Sequence, residues 1–540
     1  MVWKPIFKTL EFYLYILASI LVIPLIVSFY YQFIIDPTNH PQPFDTFAFF
    51  LTILVCLCCS LGFRILGKGS TNVNFYRRDG ILVVVLIWLI TPAISTLPFL
   101  FNNTLEHFED AYFEMCSGYT TTGMSILCPK AYDTENKEVA FHISFAGLWK
   151  NETKYDYYGT IKPVLSHSGD VLYEGIEAIG KGLLFWRSLT QWLGGIGIIL
   201  LFVAVIPVLE AGAKVLFQSE LVGPIKEDIT PRTQNAALSI FKIYLAMTLL
   251  QIIMLVTTNS KLSFFDAVNI ALTTVSSGGF SVKNGSIASY QNAATEWVIV
   301  VFMILGTINF SLFYYLLKRK FYRLKDPELI TYLALIIIFA TITSWKLLQN
   351  LPFSLEESIR YGTFQIISTL STTGFSIADY NYWPASVQVL MLISMYIGGM
   401  SGSTAGGIKV IRYYLLSRLA INRIETVFRP ERVRIFNYGD KRINLELSSN
   451  VLCFFFIYIS IAVLATIIYV FNGIDPETAL GLSSCILNTV GTGFGMAGPE
   501  YSCAFLTSFG KYFSCLLMFL GRLELFIILI LFIPAFWRRK

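Results

Sequence analysis

The chain has 540 residues, of which 55% are hydrophobic and only 14% are charged. Because an ordinary soluble chain carries roughly 25% charged residues, this composition excludes a soluble enzyme. We interpret the formal net charge of +5 as a sign of membrane topology, and we expect no nucleic-acid partner.

Apolar segments close to the roughly 20 residues that cross a bilayer recur along the whole chain. We predict transmembrane spans at 10–33, 47–64, 81–101, 186–209, 236–258, 296–317, 329–349, 385–416, 447–472 and 510–537. The first apolar segment is too long for the core of a signal peptide, so we interpret it as a retained span. These spans predict an all-α polytopic membrane protein.

Shorter apolar runs alternate with the spans, at 106–119, 263–276, 356–371 and 476–488. Each run is too short to cross the membrane and is followed at once by a stretch rich in Gly, Thr and Ser. Non-helical backbone is tolerated at membrane depth only where it is buried in protein or lines a water-filled path. We therefore predict four re-entrant half-helices that end at a pore.

The four stretches align on one glycine, with a hydroxyl residue two positions before it and a small residue six positions before it. In chain order the aligned triplets are Thr121-Thr122-Gly123, Ser277-Gly278-Gly279, Thr372-Thr373-Gly374 and Thr489-Val490-Gly491. Because the similarity extends up the half-helices, the triplets belong to repeats. One isolated cluster would favour simple close packing of helices, whereas four in register favour a shared function.

A ring of these triplets has the chemistry of a cation filter. A desolvating cation needs carbonyl and hydroxyl oxygens held around it, as in the four filter loops of a K⁺ channel. Glycine allows the backbone to turn its carbonyls inward. The residues of the four triplets are therefore the predicted ligands of K⁺.

The sequence predicts four pseudo-fourfold repeats around one pore, each with a helix, a pore half-helix with its filter, and a second helix. Two N-terminal transmembrane helices, within 1–79, precede these repeats. The repeats are predicted at 80–210, 211–320, 321–420 and 421–540. The first repeat includes an insertion at 128–183, and the last begins with a basic cytoplasmic linker.

The placement of Lys and Arg orients these elements. Short cytoplasmic loops of membrane proteins are enriched in Lys and Arg. If the N-terminus is cytoplasmic and the predicted spans are counted from it, every strongly basic segment falls on the cytoplasmic side. Both termini are then cytoplasmic, and the 128–183 insertion is expected to form an outer cap. Cys128 and Cys503 each follow a triplet closely, so an outer disulfide between them is considered, although the sequence supplies no geometry for it.

Further motifs accompany the triplets. They are Phe113-Glu114 with the run 117–123, the Trp-Arg-Ser-Leu-Thr-Gln-Trp-Leu-Gly-Gly run at 186–195, Gly223-Pro224 with Thr230-Pro231-Arg232, the Gly-rich run at 398–409 and Gly-Arg-Leu-Glu-Leu-Phe at 521–526. Together they resemble the TrkH/TrkG/KtrB superfamily of K⁺ transporters over nearly the whole chain. The two extra N-terminal spans resemble its TrkH branch.

The resemblance implies K⁺ uptake through a channel-like pore in the bacterial inner membrane, with K⁺ as the transported ion and no organic cofactor. It also implies a homodimer in the lipid bilayer and a cytosolic nucleotide-binding regulatory subunit of the TrkA type. A glycine at position 123, where related Na⁺ transporters have serine, favours K⁺ by the same resemblance.

Arg522 lies near the middle of the last predicted span, where the other repeats carry small residues. An arginine at that depth costs about 3 kcal/mol on insertion scales, so it should face the bundle interior or a water path. We expect Arg522 to lie below the filter and to hinder cation escape. A buried ion pair, for example with Glu524, is the alternative.

The third repeat carries a run rich in glycine, namely Gly398, Gly399, Gly402, Gly406 and Gly407. Each glycine weakens a helix by about 1 kcal/mol. We expect an unwound segment that crosses beneath the filter and moves to open the pore, with a helix-packing groove as the alternative. The basic 409–442 segment that follows anchors to anionic lipid, docks the regulator, or does both.

A Na⁺- or H⁺-coupled secondary transporter is the alternative function, because such proteins also place broken helices at mid-membrane. Against it, the acids of the half-helices lie at their outer starts, and the repeats share one orientation. A membrane-embedded enzyme is a more remote alternative, since no His, Asp and Cys constellation lies at a common depth.

Overall fold

The computed structural model describes residues 3–35, 44–69, 77–133, 135, 137–146, 152–166, 170–197, 233–429, 437–438, 441–442, 445–523 and 525–538. Six helices in these ranges are long and apolar enough to cross a membrane, or up to eight if each of two bent pairs is one span. The six are Trp3–Ile34, Asp45–Leu66, Arg78–Phe101, Leu238–Thr258, Pro327–Asn350 and Ser448–Phe471. The protein is a multi-pass, predominantly helical membrane protein, as predicted.

Several predicted features lie outside the described residues. They are the part of the 186–209 span beyond residue 197, the motifs at 223–224 and 230–232, Glu524, and the basic residues at 430–436 and 539–540.

The two N-terminal helices form a hairpin. Helix α1 (Trp3–Phe29) continues through a π-helical turn at Tyr30–Ile34, and helix α2 (Asp45–Leu66) packs along it. Leu10, Leu14, Leu17 and Leu21 of α1 are all buried. Because side chains three and four residues apart share one helix face, they form an apolar stripe facing the rest of the protein.

Four times along the chain, a long helix is followed by a half-helix and a second helix. The first set is α3 (Arg77–Ser95), the short α4 (Leu97–Phe101), half-helix α5 (Phe108–Tyr119) and α6 (Lys181–Ile196). The second set is α7 (Thr233–Thr258), half-helix α8 (Phe264–Val275), α9 (Ala293–Gly306) and α10 (Phe310–Leu317).

The third set is α11 (Pro327–Asn350), half-helix α12 (Leu355–Leu370), α13 (Ala385–Ile397) and α14 (Val410–Phe428). The fourth is α15 (Leu445–Phe471), half-helix α16 (Pro476–Leu487), α17 (Ser508–Arg522) and α18 (Leu525–Leu529), with α19 (Pro534–Trp537) at the end. Turns of 3₁₀ helix lie at Gly175–Ala178, Ser286–Tyr290, Phe321–Leu324, Tyr380–Tyr382, Gly495–Ala497, Cys503–Phe505 and Ile530–Phe532.

Short helices lie at all four predicted positions, and polar side chains fix where three of them begin. Ser263 caps α8, Asp475 caps α16, and Ser354 forms a reciprocal capping box with Glu357 at the start of α12. These side chains satisfy amide N–H groups that a helix start leaves without partners.

The second helices are less continuous than the sequence suggests. The predicted spans over 296–317 and 510–537 are not straight helices: α9 and α10 are bent by 92°, and Ser508–Arg522 and Leu525–Phe532 by 120°. At the first bend, the Asn309 side chain caps α10, and the Phe310 amide donates to the carbonyl of Gly402 at 3.2 Å. Because another repeat supplies that acceptor, the apolar sequence alone does not reveal the break.

The insertion at 128–183 is a folded cap with three antiparallel hairpins. They pair β1 (Ala131–Tyr132) with β2 (Glu138–Val139), β3 (Phe141–Ala146) with β4 (Glu152–Tyr157), and β5 (Val164–Leu165) with β6 (Val171–Tyr173). A fourth hairpin, β7 (Asn437–Tyr438) with β8 (Lys441–Arg442), lies in the basic linker. Cys128 and Cys503 are buried free thiols, so the disulfide considered from the sequence is not formed.

The cap is anchored on the start of half-helix α16. The Tyr155 hydroxyl donates to the Asp475 carboxylate and accepts the Asp475 amide N–H at 3.0 Å. The Tyr155 ring packs edge-on against Phe505, with the ring centroids 5.3 Å apart. One side chain of the cap therefore joins the first repeat to the fourth.

Replacing Tyr155 with Phe removes both hydrogen bonds while keeping the ring. We expect the cap to lose about 1–3 kcal/mol of local stability, because the carboxylate loses a buried donor. Hydrogen exchange of the β3–β4 hairpin measures this loss. Tyr158→Phe is the matched control, since Tyr158 is 60% exposed; equal exchange in the two variants would contradict the anchor.

Candidate functional site

The four aligned triplets share one backbone conformation. Their first residues, Thr121, Ser277, Thr372 and Thr489, have φ of +54°, +55°, +55° and +53°. Their glycines, Gly123, Gly279, Gly374 and Gly491, have φ of +83°, +78°, +78° and +88°. Non-glycine residues rarely adopt positive φ, so the fourfold recurrence identifies a repeated structural element.

The half-helix ends impose this conformation. In each repeat, the amide of the middle triplet residue donates to the carbonyl of the residue five positions before it. The bonds are Thr122 to Ser117 at 2.9 Å, Gly278 to Thr273 at 2.8 Å, Thr373 to Ser368 at 2.9 Å and Val490 to Cys485 at 2.8 Å. Each closes a helix C-terminus with a left-handed residue, which satisfies an otherwise unpaired carbonyl.

The triplets meet in a closed ring. A Cβ added to each triplet glycine would collide with the middle residue's carbonyl oxygen in the next repeat. The distances are 2.0 Å from Gly123 to Gly278, 1.8 Å from Gly279 to Thr373, 1.8 Å from Gly374 to Val490 and 2.3 Å from Gly491 to Thr122. The structure thus brings together all twelve predicted filter residues. Around the ring the repeats follow one another in chain order, and the fourth repeat contacts the first.

Gly278 stands where two other repeats have Thr, and the structure explains the difference. A Cβ added at Gly278 would lie 2.4 Å from the amide carbon of Gln191. The Gln191 side chain donates to the Gly278 carbonyl at 2.8 Å and accepts the Phe280 amide at 3.0 Å. Gln191 occupies the space that a larger side chain would fill, and it holds the second triplet on both sides.

The hydroxyl side chains of the first triplet residues are fully buried. The hydroxyls of Thr121 and Thr489 have no hydrogen-bond partner among the described residues. Those of Ser277 and Thr372 do: Ser277 pairs with the Thr404 hydroxyl, and Thr372 accepts the Gly406 amide, each at 2.8 Å. The Gly-rich segment of the third repeat therefore lies directly against two of these side chains.

That segment is unwound, as predicted. Between α13 and α14 the chain leaves helical geometry at 398–409, with φ of +70° at Gly398, +72° at Gly402 and +73° at Gly407. A Cβ added at Gly406 would lie 2.0 Å from the Thr489 hydroxyl, and one at Gly399 would lie 2.7 Å from Ala405. We call residues 398–409 the loop.

The sequence did not point to two residues that hold the loop. The buried carboxylate of Glu328, on α11, accepts the amides of Ser401 at 2.7 Å and Ile411 at 3.2 Å. The Lys409 ammonium donates to the carbonyls of Ala405 at 2.6 Å and Met400 at 3.2 Å. In the sequence, these two residues are only charged residues at the edges of apolar segments, and this pattern does not predict which groups they contact.

Arg522 joins three repeats below the triplets. Its guanidinium donates to the Thr404 carbonyl of the loop at 2.7 Å. It also donates to the carbonyls of Gly194 at 2.6 Å and Gly195 at 3.0 Å, at the end of α6. The arginine is thus directed at carbonyls inside the bundle, where a positive charge is stabilised by backbone dipoles.

On the side of the cap, the ring opens into a vestibule of about 330 Å³. All four triplet glycines line it, together with cap residues Tyr157 and Glu174 and with Glu500, which lies between α16 and α17. The ring therefore lies between the vestibule on one side and the loop with Arg522 on the other. In the described ranges, no group of three or more His, Cys, Asp or Glu residues is arranged to hold a metal ion.

The comparisons with known proteins agree with this architecture. The model of the TrkH family, described as "Cation transport protein", matches residues 162–539. The Trk system potassium uptake protein TrkH of Halomonas elongata is 29% identical over 469 residues, 86% of each chain. The Trk system potassium uptake protein TrkG of Escherichia coli K12 is 29% identical over 497 residues, 91% of this chain and 92% of that one.

The crystal structure of the potassium transporter TrkH from Vibrio parahaemolyticus matches over 100% of both chains, with a TM-score of 0.78 and 26% identity. The family model covers well over half of the chain. The chain therefore belongs to the TrkH family of cation transport proteins, and it is a membrane transporter and not an enzyme.

Proposed function

We propose that this protein takes up K⁺ across the cell membrane through a channel-like pore whose selectivity filter is the ring of four triplets. The observation that carries the proposal is the closed ring, in which each glycine lies against a carbonyl of the next repeat. Relatives named as potassium uptake proteins support K⁺ as the cation.

The ring supplies what a dehydrating cation needs. Carbonyl oxygens of the middle residues and the buried hydroxyls surround one axis, and they replace water as ligands. The four half-helices end at the triplets, so their carboxyl-terminal dipoles place partial negative charge beside the cation. The vestibule collects ions on one side before they enter.

The loop and Arg522 form the gate of this proposal. The loop already forms hydrogen bonds with two of the four hydroxyls at the first triplet position, those of Ser277 and Thr372. Arg522 places a positive charge next to the loop. A cation leaving the filter meets both. Opening requires the loop to release Ser277 and Thr372 and the guanidinium to leave at least one of its carbonyls.

The regulatory part of the proposal follows the family resemblance. Helix α14 directly continues the loop and carries Arg418 and Arg423 on its exposed surface. We propose that this basic face, on the cytoplasmic side with both termini, receives a nucleotide-binding regulatory subunit and that the protein works as a homodimer. Loop movement and docking are then linked through one helix.

Purified protein in liposomes tests the function. We expect K⁺ to flow down its own gradient, faster than Na⁺, after the Na⁺ and H⁺ gradients have been collapsed. A flux that disappears without a Na⁺ or H⁺ gradient would favour the coupled transporter instead. Equal passage of Na⁺ and K⁺ would contradict K⁺ selectivity.

Gly374→Ala is expected to abolish K⁺ flux, because its Cβ would collide with the Val490 carbonyl at 1.8 Å. Gly473→Ala is the matched control: Gly473 also has positive φ, at +87°, but nothing lies within 4 Å of an added Cβ. Both variants bear a similar backbone cost, about 1–2 kcal/mol. Flux lost equally in both would show that backbone strain, and not the ring, is responsible.

Arg522→Ala is expected to raise K⁺ flux about tenfold, because removing a positive charge from a partly desolvated path lowers the barrier by about 1.4 kcal/mol. Voltage dependence should weaken as well. Arg418→Ala, on the exposed face of α14, is the control in liposomes without a regulator. Unchanged flux and voltage dependence in Arg522→Ala would remove the arginine from the gate.

A further inference from the structure

A buried ion pair lies behind the first two triplets. Glu114, on half-helix α5, and Arg187, on α6, have side chains that are 0% and 1% exposed. The Arg187 Nε and Nη2 atoms lie 2.8 Å and 2.7 Å from Oε1 of Glu114. Both charges are removed from solvent, so their remaining hydrogen bonds decide whether the pair is stable.

The Glu114 carboxylate accepts its remaining hydrogen bonds from the segment that follows the first triplet. Its Oε2 atom accepts the Ile126 amide at 2.9 Å. The Ser125 hydroxyl lies 3.1 Å from both carboxylate oxygens. The carboxylate therefore fixes the backbone two and three residues beyond Gly123.

Arg187 reaches across to the second triplet. Its Nη1 atom donates to the Ser281 carbonyl at 3.1 Å, two residues beyond Gly279. The guanidinium also lies over the Phe280 ring, 4.2 Å from the ring centroid. A single pair thus fixes the spacing between the segments that leave the first and second triplets.

At the described positions equivalent to Glu114, the other repeats carry no acidic residue. The positions equivalent to Glu114, nine residues before the triplet glycine, are Ile270, Gln365 and Leu482. Gln365 donates to the Phe375 carbonyl at 3.4 Å, a longer and uncharged bond within its own repeat. Charge-assisted bonds are stronger than neutral ones, so the ion pair gives the first and second segments a stronger contact than Gln365 gives the third.

Arg187 also lines the vestibule above the ring. An uncompensated guanidinium there would repel incoming cations, and Glu114 neutralises it at contact distance. The pair therefore positions the segments beyond the first two triplets without leaving a net charge at the entrance.

We infer that Glu114 and Arg187 are positioning residues that determine ion selectivity, and this inference rests on the proposed function. By fixing the segments beyond Gly123 and Gly279, they keep the ring oxygens at a spacing that replaces the water of K⁺. A relaxed ring would also accommodate Na⁺, which is smaller. Selectivity then depends on an ion pair that does not itself contact the transported cation.

The test compares K⁺ and Na⁺ flux in liposomes for wild type, Arg187→Lys and Ser125→Ala. Arg187→Lys keeps the charge but loses the forked contact with Glu114 and Ser281, and we expect the K⁺/Na⁺ flux ratio to fall about tenfold. Ser125→Ala is a small change at a half-buried site that removes one ligand of the carboxylate, and we expect a fall of about threefold.

The matched control is Arg360→Lys. Arg360 pairs with Glu296 and Glu356 at the outer start of α12, so it joins neighbouring repeats without contacting a triplet. We expect its flux ratio to equal that of wild type, even if its thermal stability falls as much as that of Arg187→Lys.

The outcomes separate the two hypotheses. A wild type without K⁺ selectivity would refute the proposed function. A selective wild type whose ratio is unchanged in both Ser125→Ala and Arg187→Lys, or changes as much in Arg360→Lys, would overturn the role of the pair. If Arg187→Lys does not fold, the ratio of Ser125→Ala against the control decides the question.

Discussion

The rest of the structure depends on one close contact, between the α-carbon of a triplet glycine and a carbonyl oxygen of the next repeat. Four such contacts close the ring, and each leaves no space for a side chain. Half-helices that end in left-handed residues present the triplets at this distance. The surrounding spans then serve to hold four half-helix ends around one axis, inside a membrane that offers the backbone no water.

The ring is fourfold in its backbone, but its supports differ from repeat to repeat. An ion pair holds the first and second segments, Gln191 holds the second triplet, and the loop contacts the hydroxyls of the second and third. Arg522 of the fourth repeat reaches the loop and the end of α6. Equal repeats would supply ion ligands equally well, whereas unequal repeats allow one side to stay fixed while another moves.

The sequence predicted the elements that local chemistry determines. The half-helices were visible because their apolar runs stop at Gly, Thr and Ser, and the hydroxyl at the first triplet position set the register of Gly491. The bend after Gly306 was missed because the helices on both sides are apolar and the Asn309 cap between them was overlooked, and because the carbonyl that accepts the Phe310 amide belongs to Gly402 of another repeat. The contact between Glu114 and Arg187 was likewise hidden, since both residues stood in recognised motifs whose meeting depends on the fold.

The order in which the ring closes has a consequence for how this protein is made. The last contact joins Gly491 to the carbonyl of Thr122, and the cap is fastened to Asp475 of the same late repeat. During synthesis, the Thr122 carbonyl therefore has no Gly491 against it until the fourth repeat has been made. A chain that stops before Gly491 lacks one of the four contacts, so the closed ring forms only after the fourth repeat has been synthesised.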